Sequence, residues 1–338
     1  MEWEFPPVIC QWDLTSQCNL ACSHCRATTS WSKSKELNFN IMISILRQLY
    51  EFAPNVCLAL AGGEPLMRRG LRGILSWIRS NNERADVELL TNATLINASN
   101  IGWLSELVTG FNVGLEGTRE INDKIRGEGS FMKAIRGISL LTKKGKKVAV
   151  RMTYFHQGEK EVKNLMKILP DFGVEYFNFR YVVPVGRATD SQVCPQQYKN
   201  LAEIINQLGE ELGLKIGFSD PFPHFLLSSS ERRKLEKDKG LKKGKAVTGC
   251  SMGFNLLYLD PKGNVKTCPY FPIFCDSAKY KPLKEIWFNN PTLKRIRKIR
   301  SSLLGKCGDC EYKFACGGCR GAAMATGDFL NADPRCWK

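Results

Sequence analysis

From Pro7 to about Phe218, short apolar runs alternate with stretches whose apolar residues recur three and four positions apart. Val8–Leu14, Val56–Ala61, Val87–Leu90, Phe111–Leu115, Val148–Tyr154 and Val174–Tyr181 have strand length and strand composition. Phe39–Phe52, Leu71–Ser80, Asn97–Val108, Ser130–Lys143 and Glu159–Leu169 have the helical period. This alternation predicts the α/β class, with a parallel sheet and right-handed crossovers. Six repeats are too few for a closed eight-stranded barrel. The expected architecture is a partial (β/α)6 TIM-like barrel, with its active site at the C-terminal ends of the strands.

Pro195–Leu212 reads as one more helix, and Glu231–Lys245 is a charged, apolar-poor stretch. From Cys250 the pattern changes. A hairpin signal at Asp260–Asn264 precedes a basic helix near Leu283–Ile299 and a tail rich in Cys and Gly. The expected organisation is a barrel over 1–218, a charged linker over 219–249 and a cysteine-rich extension over 250–338. A length of 338 residues agrees with about two domains.

Hydrophobic residues make up 43% and charged residues 24%, so a core can form and wholesale disorder is excluded. No stretch approaches the ~18 apolar residues of a membrane span, and the N-terminus lacks a signal pattern, so a cytoplasmic protein without membrane partners is expected. Lys and Arg number 49 against 33 Asp and Glu, a net charge of +16 that favours anionic partners. Fourteen cysteines in a reducing compartment point away from disulfides and towards metal.

Directly after the first predicted strand comes Thr15-Ser-Gln-Cys18-Asn-Leu-Ala-Cys22-Ser-His-Cys25-Arg-Ala27. Three thiolates on one loop suit three irons of a 4Fe–4S cluster, leaving the fourth iron open. The second strand runs into Ala61-Gly62-Gly63-Glu64-Pro65 and the third into Thr91-Asn92-Ala93. The fourth reads Gly114-Leu-Glu-Gly117, followed by Asp123-Lys-Ile-Arg126-Gly127. Together these motifs resemble, in order, the CxxxCxxC, GGEP, TNG/TNA and SLDG…DxxRG elements of the radical S-adenosylmethionine (SAM) superfamily. The resemblance implies a cluster on Cys18, Cys22 and Cys25 whose open iron chelates SAM. It implies that Gly62, Gly63 and Glu64 meet the methionyl end, His24 the adenine, and Asn92 the ribose or carboxylate. Arg126, with Arg151 as second choice, should neutralise the carboxylate. The chain departs from the pattern at Gly114, usually Ser, and Glu116, usually Asp.

The C-terminal cysteines follow Cys250-x12-Gly263-x4-Cys268, then Cys307-x2-Cys310-x5-Cys316-x2-Cys319, then Cys336. CxxC pairs also occur in zinc ribbons. Behind the motifs above, the pattern resembles the SPASM extension, which implies two auxiliary 4Fe–4S clusters and three in all. Carried over, the ligation is Cys307, Cys310, Cys316 and Cys336 for one cluster, and Cys250, Cys268 and Cys319 for the other. Cys275 is the nearest candidate for a missing fourth ligand, and an open iron is the alternative.

The tail Cys316–Cys336, His24-Cys25-Arg26-Ala27 and Pro184-Val-Gly-Arg-Ala188 resemble a SPASM subgroup holding pyrroloquinoline-quinone precursor maturases and the alternative haem and haem d1 synthases. That resemblance implies an oxidoreductase in which an electron donor such as ferredoxin or flavodoxin reduces the first cluster. Cleavage of SAM to a 5′-deoxyadenosyl radical then starts hydrogen abstraction from substrate. An anionic tetrapyrrole losing carboxylate is the first expectation, with Arg151, Arg180 and Arg187 near strand ends to meet it and His156 a weak candidate to ligate its iron. A ribosomally made peptide is the alternative. Nucleic acid is disfavoured: Lys143–Lys147 and Lys294–Arg300 read as exposed helix faces, and no RNA-binding motif accompanies them.

Overall fold

The computed structural model describes residues 3–27, 36–223 and 249–338. The six expected strands form as β1 (Ile9–Asp13), β2 (Cys57–Ala61), β3 (Val87–Thr91), β4 (Gly110–Gly114), β5 (Lys147–Tyr154) and β6 (Tyr176–Tyr181). They lie side by side in sequence order, each parallel to the next. β5 and β6 alternate between buried positions and half-buried or, at Lys147, exposed ones. Val148, Val150, Met152, Phe177 and Phe179 enter the core shared with the helices. The other face carries Arg151, Thr153, Asn178 and Arg180, whose polar ends line cavities inside the curved sheet. A period-2 pattern thus gives each strand one face for folding and one for chemistry.

The helices of the barrel are α1 (Phe39–Phe52), α2 (Leu71–Asn81), α3 (Ile101–Leu107), α4 (Arg119–Arg126), α5 (Ser130–Lys143), α6 (Glu159–Ile168) and α7 (Pro195–Leu212). Asn38 caps α1 by accepting from Ile41 N at 3.0 Å. The sequence reading missed α4, a short helix of low apolar content. It also missed β7 (Lys215–Phe218), a four-residue edge strand parallel to β6.

The extension is stitched into the same sheet. β8 (Leu256–Leu259) pairs parallel to β1 on the side away from β2. β9 (Asn264–Lys266) and β10 (Phe274–Ser277) follow antiparallel, so ten strands form one sheet. The predicted hairpin turn joins β8 to β9. Asp260 Oδ1 accepts from Lys262 N at 2.9 Å and Asn264 N at 3.0 Å, and Gly263 takes φ +78°.

The expected basic helix is two helices, α8 (Leu283–Asn289) and α9 (Pro291–Arg297). The residue before a proline leaves the helical region, and Asn290 instead accepts from Thr292 N at 2.9 Å and caps α9. Its basic run is only partly an exposed face. Arg297 Nε donates to Gly253 O at 2.7 Å over the Trp287 ring, and Arg300 is buried against Ala315 O and Cys250 O. The charged stretch Glu231–Lys245 lies outside the described residues. Among the described residues no helix is long and apolar enough to cross a membrane.

Candidate functional site

The loop after β1 is held by the ends of its neighbours. Leu14 N donates to Ala61 O at 2.8 Å, Gly63 N to Thr15 O at 2.8 Å and Glu64 N to Gln17 O at 2.7 Å. A Cβ on Gly62 would stand 2.5 Å from Thr15 O, and one on Gly63 would overlap the Gln17 carbonyl. Glycine is therefore required here because the chain packs on itself, whatever it also does for a ligand. From the far side Arg187 Nε donates to Cys22 O at 2.7 Å and its backbone N to Cys25 O at 3.0 Å. The Pro184–Ala188 segment thus closes over the cysteine loop.

One cavity of about 340 Å³ opens at the C-terminal ends of the strands. Cys18, Cys22 and Cys25 line it, together with Cys250, Cys268 and Cys319 from the extension. Two cysteine triplets far apart in sequence therefore face one space. Burial pushes the Cys18 thiol up to about 11 and that of Cys268 to about 12, so neither thiolate is stable there without a cation. Among the described residues no three Cys, His, Asp or Glu converge on one ion-sized point. The thiols stand around a cavity wall, which fits a multi-iron cluster in which each sulfur takes a different iron.

Of the predicted SAM contacts, His24, Gly62, Gly63, Asn92, Arg126 and Arg151 line this cavity. Glu64 does not. It is fully buried, accepting from Thr91 Oγ1 at 2.7 Å and Asn92 N at 2.8 Å, and so ties the end of β2 to the end of β3. The Asn92 amide donates to Asn19 Oδ1 at 2.9 Å and its oxygen accepts from Thr94, so much of its capacity is spent on the loop.

Glu116 organises the site, a role its position in the SLDG-like motif did not announce. Its Oε1 lies 2.5 Å from Arg126 Nη2 and 3.0 Å from His24 Nε2, and its Oε2 accepts from Thr153 N at 2.6 Å. Burial alone would raise its pKa, but His24 and Arg126 outweigh that and hold it down at about 2. The two departures from the family pattern belong together. A Cβ at Gly114 would collide with the Arg126 guanidinium, so the missing serine makes room for the arginine that the longer Glu116 reaches. Among the described residues, Arg126 Nε and His24 Nδ1 are buried without a hydrogen-bond partner.

Between the triplets lies a group of arginines around Tyr270. Arg180 stacks on the Tyr270 ring at 4.3 Å and donates to Ser219 O at 2.8 Å, with Asp220 3.7 Å from its Nε. Arg26 is paired with Asp13 at 2.9 Å. Arg151 differs from both. No carboxylate among the described residues stands at ion-pair distance from it, Glu88 acting on it from further off; its Nε has no hydrogen-bond partner among them, and burial outweighs Glu88 and pushes its pKa below the ordinary value.

Three expected residues fall elsewhere or differ in role. His156 is exposed at φ +70° and does not line the cavity. Cys275 sits on β10 with its Sγ towards Ile273 O at 3.8 Å and beside Arg297, and it does not line the cavity that Cys250, Cys268 and Cys319 line. Arg187 is at the cavity rim, exposed and bonded to the cysteine loop.

Cys307, Cys310, Cys316 and Cys336 line a second cavity of about 550 Å³ with Phe222, Tyr312 and Lys306. The Cys316-Gly-Gly-Cys319 loop links the two cavities, its glycines at φ +71° and +57°.

Residues 12–169 match the radical SAM superfamily, and residues 250–311 match the SPASM iron–sulfur cluster-binding domain. The chain is 29% identical over 98% of its length to the AdoMet-dependent heme synthase of Methanosarcina barkeri, covering 96% of that protein. It is 26% identical over 98% of its length to the mycofactocin maturase of Mycobacterium ulcerans, covering 88% of it. The fold matches Streptococcus suis SuiB bound to precursor peptide SuiA with a TM-score of 0.82 and 16% identity, over 99% of this chain and 77% of that one.

Proposed function

This chain is a radical SAM enzyme with a C-terminal SPASM domain, and from that premise we propose that it oxidises a substrate bearing several carboxylates, by decarboxylating tetrapyrrole side chains. The observation that carries this reading is Arg151. It lines the cavity half-buried, with no carboxylate of the described residues at ion-pair distance and Glu88 acting on it only from further off, so an anionic ligand in the cavity would supply the partner its guanidinium lacks. Arg180, held flat by Tyr270, offers a second site one strand away. Paired guanidiniums grip carboxylates in fixed orientation, which aligns one substrate side chain against the SAM site. The similarity to a heme synthase over nearly the whole chain supports the same reading.

When loaded, the first cluster and SAM supply one-electron hydrogen abstraction. The chain's own residues orient these partners. Glu116 holds Arg126 at the cavity wall, where it would meet the SAM carboxylate, and holds His24 there through its Nε2. The triplet Cys250, Cys268 and Cys319 would hold an auxiliary cluster on the far wall, and the outer four cysteines a third. In this reading the barrel spans 1–218, the charged linker 219–249 and the cysteine-rich extension 250–338.

Peptide maturation is the second reading, supported by the similarity to mycofactocin maturase. Reduced enzyme, SAM and iron-coproporphyrin decide between them. Substrate-dependent 5′-deoxyadenosine with mass loss of a carboxyl group plus hydrogen is expected. A linear peptide that stimulates SAM cleavage and loses two hydrogens, where tetrapyrroles do nothing, establishes the maturase reading instead.

A further inference from the structure

Two arginines in the extension are almost wholly buried, and they are neutralised in different ways. Arg335 is 0% exposed and bonds Asp220 at 2.8 Å and Asp333 at 3.0 Å. Arg320 is 1% exposed, and no carboxylate among the described residues pairs with it. Its Nη1 donates to Phe329 O and Asn331 O, both at 2.8 Å, and its Nε to Gly318 O at 3.5 Å. Its Nη2 lies 3.9 Å from Cys307 Sγ. Carbonyl dipoles lower the cost of that buried charge but carry no net negative charge of their own. Asp333 also lies near Gly318, but its carboxylate is engaged by Cys319 N and Arg335, so the candidate counter-anion left within reach is the outer cysteine set. The backbone is shaped for this approach: Gly318 is at φ +57°, and a Cβ there would stand 2.5 Å from Arg320 Nη2 and 3.2 Å from Cys307 Sγ.

We propose that Arg320 is the resident counter-cation of the outer cluster and raises that cluster's reduction potential. The inference rests on the reading that Cys307, Cys310, Cys316 and Cys336 hold a 4Fe–4S cluster. Reduction adds one electron to the cluster and breaks no bond. A buried positive charge and an N–H···S contact stabilise the more negative reduced form over the oxidised one, and so raise the potential. The inner triplet lines the cavity proposed to take substrate and the outer set lines a separate one, joined by Cys316-Gly-Gly-Cys319. A raised outer potential draws an electron taken from substrate outward, away from the SAM site. Arg320 thus acts on the direction of electron flow as a positioning residue, without touching substrate.

The test is an EPR-monitored redox titration of fully loaded enzyme beside the Arg320→Gln variant, with iron counted in both. The expected result is a fall in the outer cluster's midpoint, a tenfold or larger change in its oxidised-to-reduced ratio at fixed potential, or about 59 mV for a one-electron couple. The SAM-site signal should not move, and Arg320→Lys, which keeps the charge, should recover most of the shift. A glutamine variant with full iron and an unmoved midpoint overturns the inference while leaving the cluster reading intact. Absence of the outer cluster from wild-type enzyme overturns both. Where the glutamine variant does not assemble its cluster, wild-type enzyme labelled with 15N-arginine decides. Pulsed EPR of the reduced outer cluster should show a 15N coupling that Arg320→Lys lacks, and no such coupling means the guanidinium is not at the cluster.

Discussion

At the barrel mouth six cysteines share a cavity with five arginines, and its polar lining comes from β1, β3, β4, β5, β6 and the extension. At the outer site four cysteines, all from the last 32 residues of the chain (307–338), line a cavity with three lysines and no arginine. The donor atoms are the same and the surroundings are not. Two triplets line one cationic space and, if each holds a cluster, each would leave an iron open to a ligand there. Four cysteines can close a cluster's coordination completely, leaving it only electrons to exchange.

That contrast is broken most severely at the first triplet. Replacing Cys18, Cys22 and Cys25 together with alanine should abolish 5′-deoxyadenosine formation and remove one cluster's iron, while the outer cluster's EPR signal persists. Loss of all iron would mean the two regions do not assemble independently. Cys310→Ala should do the reverse, losing the outer cluster while SAM cleavage survives within a few-fold, as read by chromatography of the products.

Glu116→Gln tests the barrel mouth from within. Removing one partner of a buried pair should cost about 3–5 kcal/mol, seen as a lower melting temperature and weaker SAM binding. The pH dependence has a definite sign. The Glu116 carboxylate is held at about 2, below its ordinary 4.5, so its stabilisation is present above pH 4.5 and is lost as pH falls towards 2. The variant should lack this component of acid sensitivity.

Arg151→Gln should weaken substrate by on the order of 1.5–3 kcal/mol, leaving iron content and substrate-free SAM cleavage unchanged. Unaltered substrate affinity in a calorimetric titration would remove the basis for a polycarboxylate ligand. The smallest effect is expected at Cys275→Ala. It lines neither cysteine cavity, so the iron count and cluster spectra should match wild type. A lost or altered inner-cluster signal would restore Cys275 as a ligand.

Much of the architecture was legible because its signals are local. Apolar strands such as Val148–Tyr154 and amphipathic helices such as Phe39–Phe52 announce themselves over one or two turns, and Gly and Pro punctuate the hairpin at Asp260. The elements missed were weak for the same reason: α4 is too polar and β7 too short to show a period. The basic run at 294–300 misled because alternation of charge says nothing about depth. Arg297 and Arg300 bury their stems and bond carbonyls from distant segments.

The site divides along the same line. Residue types and spacing determined which cysteines form sets, since ligand identity and loop length are properties of the chain itself. Only the tertiary structure decided which groups share a space. It brought Cys250, Cys268 and Cys319 to the mouth of the barrel by pairing β8 with β1, across more than 200 residues of sequence. It turned Glu64 inward and placed Cys275 outside both cysteine cavities, and it left Arg151 and Arg320 without an ion-pair partner within the described residues. Whether a charge is paired or free depends on neighbours contributed by distant strands, and no spacing along the chain records that.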